Sequence, residues 1–380
     1  MDASPLTLQE RVWQRRNRLR NRFPSLASSE LPEAPAPAAA PRRKTTLADV
    51  AEQAGVSTST ASRALNGHGG LAPATRAAVK DAAAKLNFQP SALARSLRTQ
   101  QTFTVGFVVP DVSSPFYAAA LKGAQGRLEQ AGYRVMLMDA SLDVDRELAA
   151  LETLLSHQVD GLLVASTGMP RSVFDGAVGA AATPTIFFDG VVEGTGEGAV
   201  TLDNEGGIAL LVDHLVEHGH ESIALLAGSQ RESAGAARLR AFHTAMAAHG
   251  MTPADRHVKV CAWEITDGRR AGLELLADPE PATAVLASSA ELALGFMSAA
   301  ARRGARIPDE VALVAFDDPY FGDLLEPPLT AVAYDPRQIG ATAADLLVEA
   351  IRSETMTVEV RVPVTLVRRR SCGCQPEASR

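Results

Sequence analysis

From Thr104 onward the chain alternates short apolar or β-branched runs with longer amphipathic stretches, and this alternation constrains the fold more than any other feature. The runs lie at 105–109, 134–138, 161–164, 185–188, 222–226, 284–287 and 311–314. Helical patterns at 116–130, 146–156, 207–218, 235–249 and 291–303 lie between them. Strand–helix alternation produces parallel sheets with helices on both faces. There is more of it here than one sheet holds, so the reading is two doubly wound α/β lobes. Open sheets of this kind bind ligands beyond the C-terminal ends of their strands. Two lobes facing each other make a cleft that can close on a small molecule.

The residues at those predicted strand ends suit a polyhydroxylated ligand. Pro110 and Asp111 follow the first run, with Phe116 and Tyr117 close behind; Asp189 follows the fourth. Residues 228–238, which include Glu232 and Arg238, follow the fifth, and Phe316, Asp317 and Asp318 follow the last. Carboxylates accept hydroxyl hydrogens, an arginine donates to ring and hydroxyl oxygens, and an aromatic ring covers the apolar side of a sugar. A carboxylate at a strand end can equally cap the next helix, and Phe116 can equally be core.

Upstream, residues 45–66 read as two short helices around a turn. Thr46 stands at an N-cap position, Asp49 falls in the first turn, and Leu47, Val50, Ala51 and Ala54 form one apolar stripe over 47–54. Gly55 sits where the chain must turn sharply. Ser57 is the expected cap of the second helix, Ala61, Ala64 and Leu65 face inward, and Thr58, Ser59, Ser62 and Arg63 share the other side. A row of hydroxyls and one arginine near a helix N-terminus suits a helix placed in the DNA major groove. An ordinary αα-hairpin with a polar outer face would satisfy these two helices by themselves. A third helical pattern from Pro73 to Leu86, with Ala77, Val79, Ala83 and Leu86 on one side, argues against the hairpin.

Leu47, Asp49-Val50-Ala51, Ala54-Gly55-Val56-Ser57, Thr60, Ser62-Arg63, Leu65-Asn66, Phe88, Pro90, Ala94-Arg95 and Leu97-Arg98 together resemble the lactose-repressor (LacI/GalR) family of bacterial transcription regulators. The resemblance runs from about residue 45 to 371. It implies a helix-turn-helix DNA-binding head at 45–90, a hinge helix at 91–100, and a two-lobed, periplasmic-binding-protein-like effector and dimerisation domain at 101–371. It assigns about 101–203 with 332–352 to one lobe and about 204–330 with 355–371 to the other, with three crossings between them. Thr58, Ser59 and Arg63 would read bases. Thr46, Ser57, Thr60, Ser62 and Asn66 would hold the DNA backbone or orient neighbours. Ala94 and Leu97 belong to the hinge, where Leu97 would wedge into a minor-groove base step. Arg238 and Asp317 would hold the effector from the second lobe, and Phe116, Tyr117 and Asp189 from the first.

The chain also departs from the family pattern. Ala61 replaces a usual valine, and Ser91 a usual asparagine. Ser289-Ala290 stands where members often carry Asn-Asp, and Glu232 and Ala234 stand where polar or basic ligand contacts are frequent. These changes leave the ligand open: either it is not a standard hexose, or Glu232 recognises a donor on it.

Charge agrees with a DNA-reading head on an acidic body. Residues 1–44 carry nine basic and four acidic groups and residues 45–100 carry six and three, so the overall net charge of −7 leaves −15 for the rest. Within 1–44, a basic stretch with Val12, Trp13 and Leu19 precedes an Ala/Pro/Ser-rich segment that reads as linker. It is either an arm adding phosphate affinity, or a disordered tail or sequence upstream of the true start. Of three cysteines, Cys372 and Cys374 form a C-x-C in the tail at 372–380. No further cysteine or histidine lies nearby in sequence, so the expectation is a reduced, unbonded pair, no metal site and no cofactor. The eight histidines are expected on helix or turn surfaces, and no nucleophile–base order appears, so no catalytic residue is assigned. The absence of a membrane-length apolar run or signal-peptide core predicts a cytoplasmic protein, associated with the nucleoid when on its operator. The expected partners are palindromic double-stranded DNA, a sugar-like effector and a second copy of the chain. The competing reading is a solute-binding protein or sugar-processing enzyme with an incidental head.

Overall fold

The computed structural model describes residues 45–65, 70–88, 101–179, 181, 183–195, 197–353 and 358–374. The chain divides into two compact units at Pro90 and Ser91, each described separately. The basic stretch before Thr45, Asn66, and the hinge with Ala94 and Leu97 lie outside the described residues.

Among its described residues the first unit has three helices: α1 (Leu47–Gln53), α2 (Thr58–Leu65) and α3 (Pro73–Lys85). A reciprocal capping box starts α1. The Thr46 backbone N–H donates to Asp49 Oδ2 at 2.7 Å, and the Asp49 N–H donates to Thr46 Oγ1 at 3.3 Å. Gly55 turns the chain at φ 65°, a conformation other residues adopt with strain. Val50, Ala51, Ala61, Ala64, Val79, Ala82 and Ala83 form the core, with Val56 and Leu65 packed against it. Such small side chains allow close helix approach. Ala77 is exposed and Ala82 is buried in its stead, a correction of one turn to the expected inner face of α3.

The second unit contains two six-stranded sheets. β1 (Thr104–Val109), β2 (Arg134–Asp139), β3 (Gly161–Val164), β4 (Thr185–Phe188) and β5 (Gly198–Leu202) build the first, with α4 (Pro115–Gln130), α5 (Val144–Ser156) and the short α6 (Arg171–Phe174) between them. The chain then enters α7 (Asn204–Glu217), β6 (Ile223–Ala227), α8 (Ser233–Ala248), β7 (Val258–Val260), α9 (Ile265–Leu275), β8 (Ala284–Ala287), α10 (Ala290–Arg303), β9 (Ala312–Phe316) and β10 (Thr330–Ala333). It finishes with α11 (Pro336–Ser353), β11 (Glu359–Val362) and β12 (Thr365–Val367). The strand orders are β11-β5-β4-β3-β1-β2 and β12-β10-β9-β8-β6-β7. Every neighbouring pair is parallel except β10 with β12.

Two boundaries differ from the expected ones. The expectation places residues 355–371 in the second lobe, but Glu359–Val362 pairs in parallel with β5 in the first sheet, and only β12 joins the second. β10 likewise extends the second sheet to Ala333, past the expected limit of 330. The chain therefore leaves the first sheet after Leu202, returns after Ala333 and leaves again after Val362. The return is locked by α11 against α4. A Cβ on Gly123 would stand 1.9 Å from the Arg337 carbonyl oxygen, and one on Gly340 would stand 1.9 Å from that of Ala120. Only glycine permits that backbone approach.

Candidate functional site

The described residues among those singled out by sequence fall into two groups, one in each unit. On the first unit, Ser57, Thr58, Ser59 and Arg63 are exposed, while Thr60 and Ser62 are half-buried. Ser57 Oγ lies 2.9 Å from both Ser59 Oγ and Thr60 Oγ1, and it accepts from the Thr60 backbone N–H at 3.2 Å. The hydroxyls are thus tied into one cluster at the α2 N-terminus, where backbone N–H groups and the dipole favour an anion such as phosphate. Arg63 stands further along the same exposed helix, and its planar five-donor fork suits the two acceptors of guanine.

In the second unit, Asp189 directly follows β4 and Asp317 directly follows β9, and both take left-handed backbone conformations, at φ 59° and φ 75°. A non-glycine residue holds that region at a cost, which is concentrated at ligand clamps. Neither is the helix cap that its position also allowed: each accepts from a tyrosine. Tyr117 Oη donates to Asp189 Oδ2 at 2.9 Å, and Tyr334 Oη donates to Asp317 Oδ1 at 2.6 Å. Burial, reinforced by the neighbouring carboxylates, holds both phenols well above their ordinary range, so each remains a donor. Phe116 packs edge-on against Tyr117 and Tyr334, with ring centroids 4.9 and 6.0 Å apart. Asp318, next to Asp317, is bound by Arg369 at 2.7 and 2.8 Å and serves the lobe's own structure.

Arg238, on α8, is 3% exposed, and its Nε and Nη1 are engaged within the protein. Nε donates to Asn204 Oδ1 at 2.8 Å, Nη1 donates to the Ser288 carbonyl at 2.7 Å, and Nη1 lies 3.6 Å from Asp317 Oδ2. Its Cζ sits 3.7 Å from the centre of the Phe316 ring. Arg238 thus ties together the ends of two strands, β8 and β9, and the start of α7. Asn204, Trp263, Ser288 and Tyr334 were not singled out by sequence. Polar side chains at sheet ends offered a weak signal for Asn204 and Ser288, and nothing local marked the other two.

Glu232 lies just before α8, where the two lobes touch. The Val191 backbone N–H donates to Ser233 Oγ at 3.0 Å across the lobes. A Cβ on Gly168 would stand 2.3 Å from the Arg231 carbonyl oxygen. Burial pushes the Glu232 carboxyl up to about 7; Asp189 adds to this, while Trp263, Ser229 and Arg231 oppose it. The Trp263 indole N–H, close enough to favour the Glu232 anion, completes no hydrogen bond and remains a buried unpaired donor, as does the Ser288 hydroxyl. Burial likewise raises Asp189, against the pull of Arg238. The buried carboxyls Glu232, Asp189 and Asp317 outnumber the one guanidinium, Arg238, that faces them.

A head with an exposed hydroxyl-and-arginine helix, on a two-lobed body with polar groups at the strand ends, defines the class of ligand-responsive transcription regulators. Residues 46–91 match the model for bacterial regulatory proteins of the lacI family, and residues 212–372 match a periplasmic binding protein-like domain. The ribose operon repressor of Escherichia coli strain K12 is 31% identical over 313 residues, covering 82% of this chain and 94% of that protein. The crystal structure of the Lac repressor dimer bound to operator and the anti-inducer ONPF aligns with a TM-score of 0.80 at 28% identity, covering 87% of this chain and 99% of that one. A complex of the transcriptional regulator CelR with cellobiose aligns at 0.66 and 31% identity, covering 86% and 100%. The chain belongs to the LacI family and is a DNA-binding transcriptional regulator with an effector-binding domain. Among the described residues no helix is long and apolar enough to cross a membrane.

Proposed function

We propose that the chain acts in the cytoplasm as a homodimeric repressor on a palindromic operator, with a donor-rich polyol of the sugar class bound between its lobes. The observation that carries the effector class is the group formed by Asp189, Asp317, Glu232 and Arg238 with Tyr117 and Tyr334. Phe116 supplies the apolar face, and the repressor similar to this chain controls a ribose operon. Thr58, Ser59 and Arg63 read bases, and Thr46, Ser57, Thr60 and Ser62 hold phosphates or orient those readers. Asn66, Ala94 and Leu97 complete the contact. The effector favours the closed cleft, closure shifts the first lobes of the dimer, and operator affinity changes with it. Effector and operator must alter each other's affinity by one common factor.

A gel-shift with fragments of the source genome at low salt tests this reading. Specific retention that a sugar panel modulates is the expected result. Failure to retain any fragment, with tight sugar binding intact, would instead favour a solute-binding protein or sugar enzyme with an incidental head.

A further inference from the structure

The C-x-C pair does not stand alone in the folded chain. His214 is 2% exposed, not on a surface as its helix position suggested, and its Nε2 lies 3.2 Å from Cys372 Sγ and 3.5 Å from Cys374 Sγ. The ligand atoms of His214, Cys372 and Cys374 all fall within 4.8 Å of one another. His218, one turn further along the chain from His214, places its Nε2 3.2 Å from Cys374 Sγ. Sequence distance concealed this, because 158 residues separate His214 from Cys372.

We propose that Cys372, Cys374, His214 and His218 form a structural site for a single zinc ion. Zn–S bonds of about 2.3 Å and Zn–N bonds of about 2.0–2.1 Å give a tetrahedron with N···S edges of about 3.5 Å. The N···S separations of His214 from Cys372 and Cys374, 3.2 and 3.5 Å, and of His218 from Cys374, 3.2 Å, are within a few tenths of an ångström of that figure; His218 stands outside the mutually close trio, so its ring must turn inward to complete the set. Two thiolates with two imidazoles are a donor set suited to zinc. The histidine spacing, i and i+4, brings both rings to one side of a helix end.

The hydrogen bond of His218 fits the same role, while the buried Nδ1 of His214 has no partner. His218 Nδ1 is 2.8 Å from the His214 carbonyl oxygen, which can only accept. Nδ1 therefore carries the proton, and the neutral ring keeps its Nε2 lone pair for a metal, the orienting contact that ligating histidines require. The Thr330 hydroxyl lies 3.1 Å from Cys372 Sγ and can donate to a thiolate. Cys372 is buried but Cys374 is only half-buried and His218 is exposed, so an ion has a way in from solvent. Binding displaces two thiol protons to solvent and forms two Zn–S and two Zn–N bonds. The ion would fasten the segment after β12 to the end of α7, beside the existing bonds from Ser371 Oγ to the Leu313 carbonyl and from the Thr330 N–H to Ser371 Oγ. Nothing in this depends on DNA or effector binding.

The test uses the purified full chain, reduced and stripped with chelator, then titrated with zinc against a chromophoric competitor and separately with cobalt(II). One ion per chain is expected. Cobalt should show a thiolate charge-transfer band in the near ultraviolet and the intense visible bands of a tetrahedral centre. Zinc at a hundredfold excess over its Kd should raise the Tm by about 5 °C. His218→Ala and Cys374→Ser, on the accessible side, should each weaken affinity at least about tenfold while circular dichroism stays unchanged. Cys372→Ser is a third variant, with the two accessible-side variants deciding the matter if it fails to fold. Cobalt spectra without a thiolate band would overturn the site. So would equal affinity in wild type and both accessible variants, or a reduced protein that takes up no stoichiometric zinc.

Discussion

Replacing Glu232 with glutamine removes one charge from the contact between the lobes and nearly preserves shape. Burial lifts this carboxyl from 4.5 to about 7, with Asp189 adding to the rise and Trp263, Ser229 and Arg231 opposing it. The folded protein therefore holds the proton more tightly than the unfolded chain. The stability this confers is fully present below about pH 4.5 and is lost as pH rises through about 7. At about 1.4 kcal/mol per tenfold change in proton affinity, the loss is roughly 3 kcal/mol. That figure is a ceiling, because parting of the lobes at Val191 and Ser233 would let water reach the carboxylate at less cost than unfolding. Glutamine cannot ionise and escapes the loss. Thermal unfolding of wild type and Glu232→Gln, followed by calorimetry from pH 4.5 to 8.5, should show the variant gaining on wild type up to about pH 7 and levelling off to a constant lead toward pH 8.5. With about 2–4 °C per kcal/mol, the lead should reach several degrees and stay below about 12 °C. Parallel curves across the whole range would refute the burial argument.

Three further outcomes are expected. Thr46→Ala removes the capping box of α1 and should destabilise the first unit by about 1 kcal/mol, read as a lower unfolding midpoint of that unit with the second unit unchanged. Gly340→Ala drives a Cβ into the Ala120 carbonyl and should cost about 1–3 kcal/mol in urea unfolding, whereas Gly126→Ala, where a Cβ meets nothing within 4 Å, should cost none. Asp317→Asn keeps an oxygen for Tyr334 but removes the charge facing Arg238, and should abolish the response to effector while leaving effector-free DNA affinity intact; a retained response in the gel-shift would remove Asp317 from the site.

The parts of the fold legible in the sequence were those encoded locally. The first unit could be read because Thr46, Asp49 and Gly55 mark a start and a stop within ten residues. β1, β3, β4, β6, β8 and β9 could be read because central strands buried on both faces are continuous apolar runs. β7, β11 and β12 escaped because they are three or four residues long and mostly half-buried or exposed. The assignment of β11 to the wrong lobe has the same origin, since which sheet a short strand joins depends on its partner and not on its own pattern. Within the cleft, Asp189 and Asp317 stood out as carboxylates at strand ends. Tyr334 did not, because it reaches Asp317 only through the second crossing of the chain. Arg238 can be singled out in the sequence, but its bonds to Asn204 and the Ser288 carbonyl cannot, since they join residues 34 and 50 positions apart.

The exposed face of α2 is expected to select a DNA sequence. The most direct measurement is selection of duplexes from a random library by the full chain, repeated with Arg63→Ala and scored at physiological salt. Enrichment of a twofold-symmetric site is expected, with the variant relaxed at one position in each half-site and weaker there by about 1–3 kcal/mol. No enrichment above input, or an identical motif from both proteins, would contradict it.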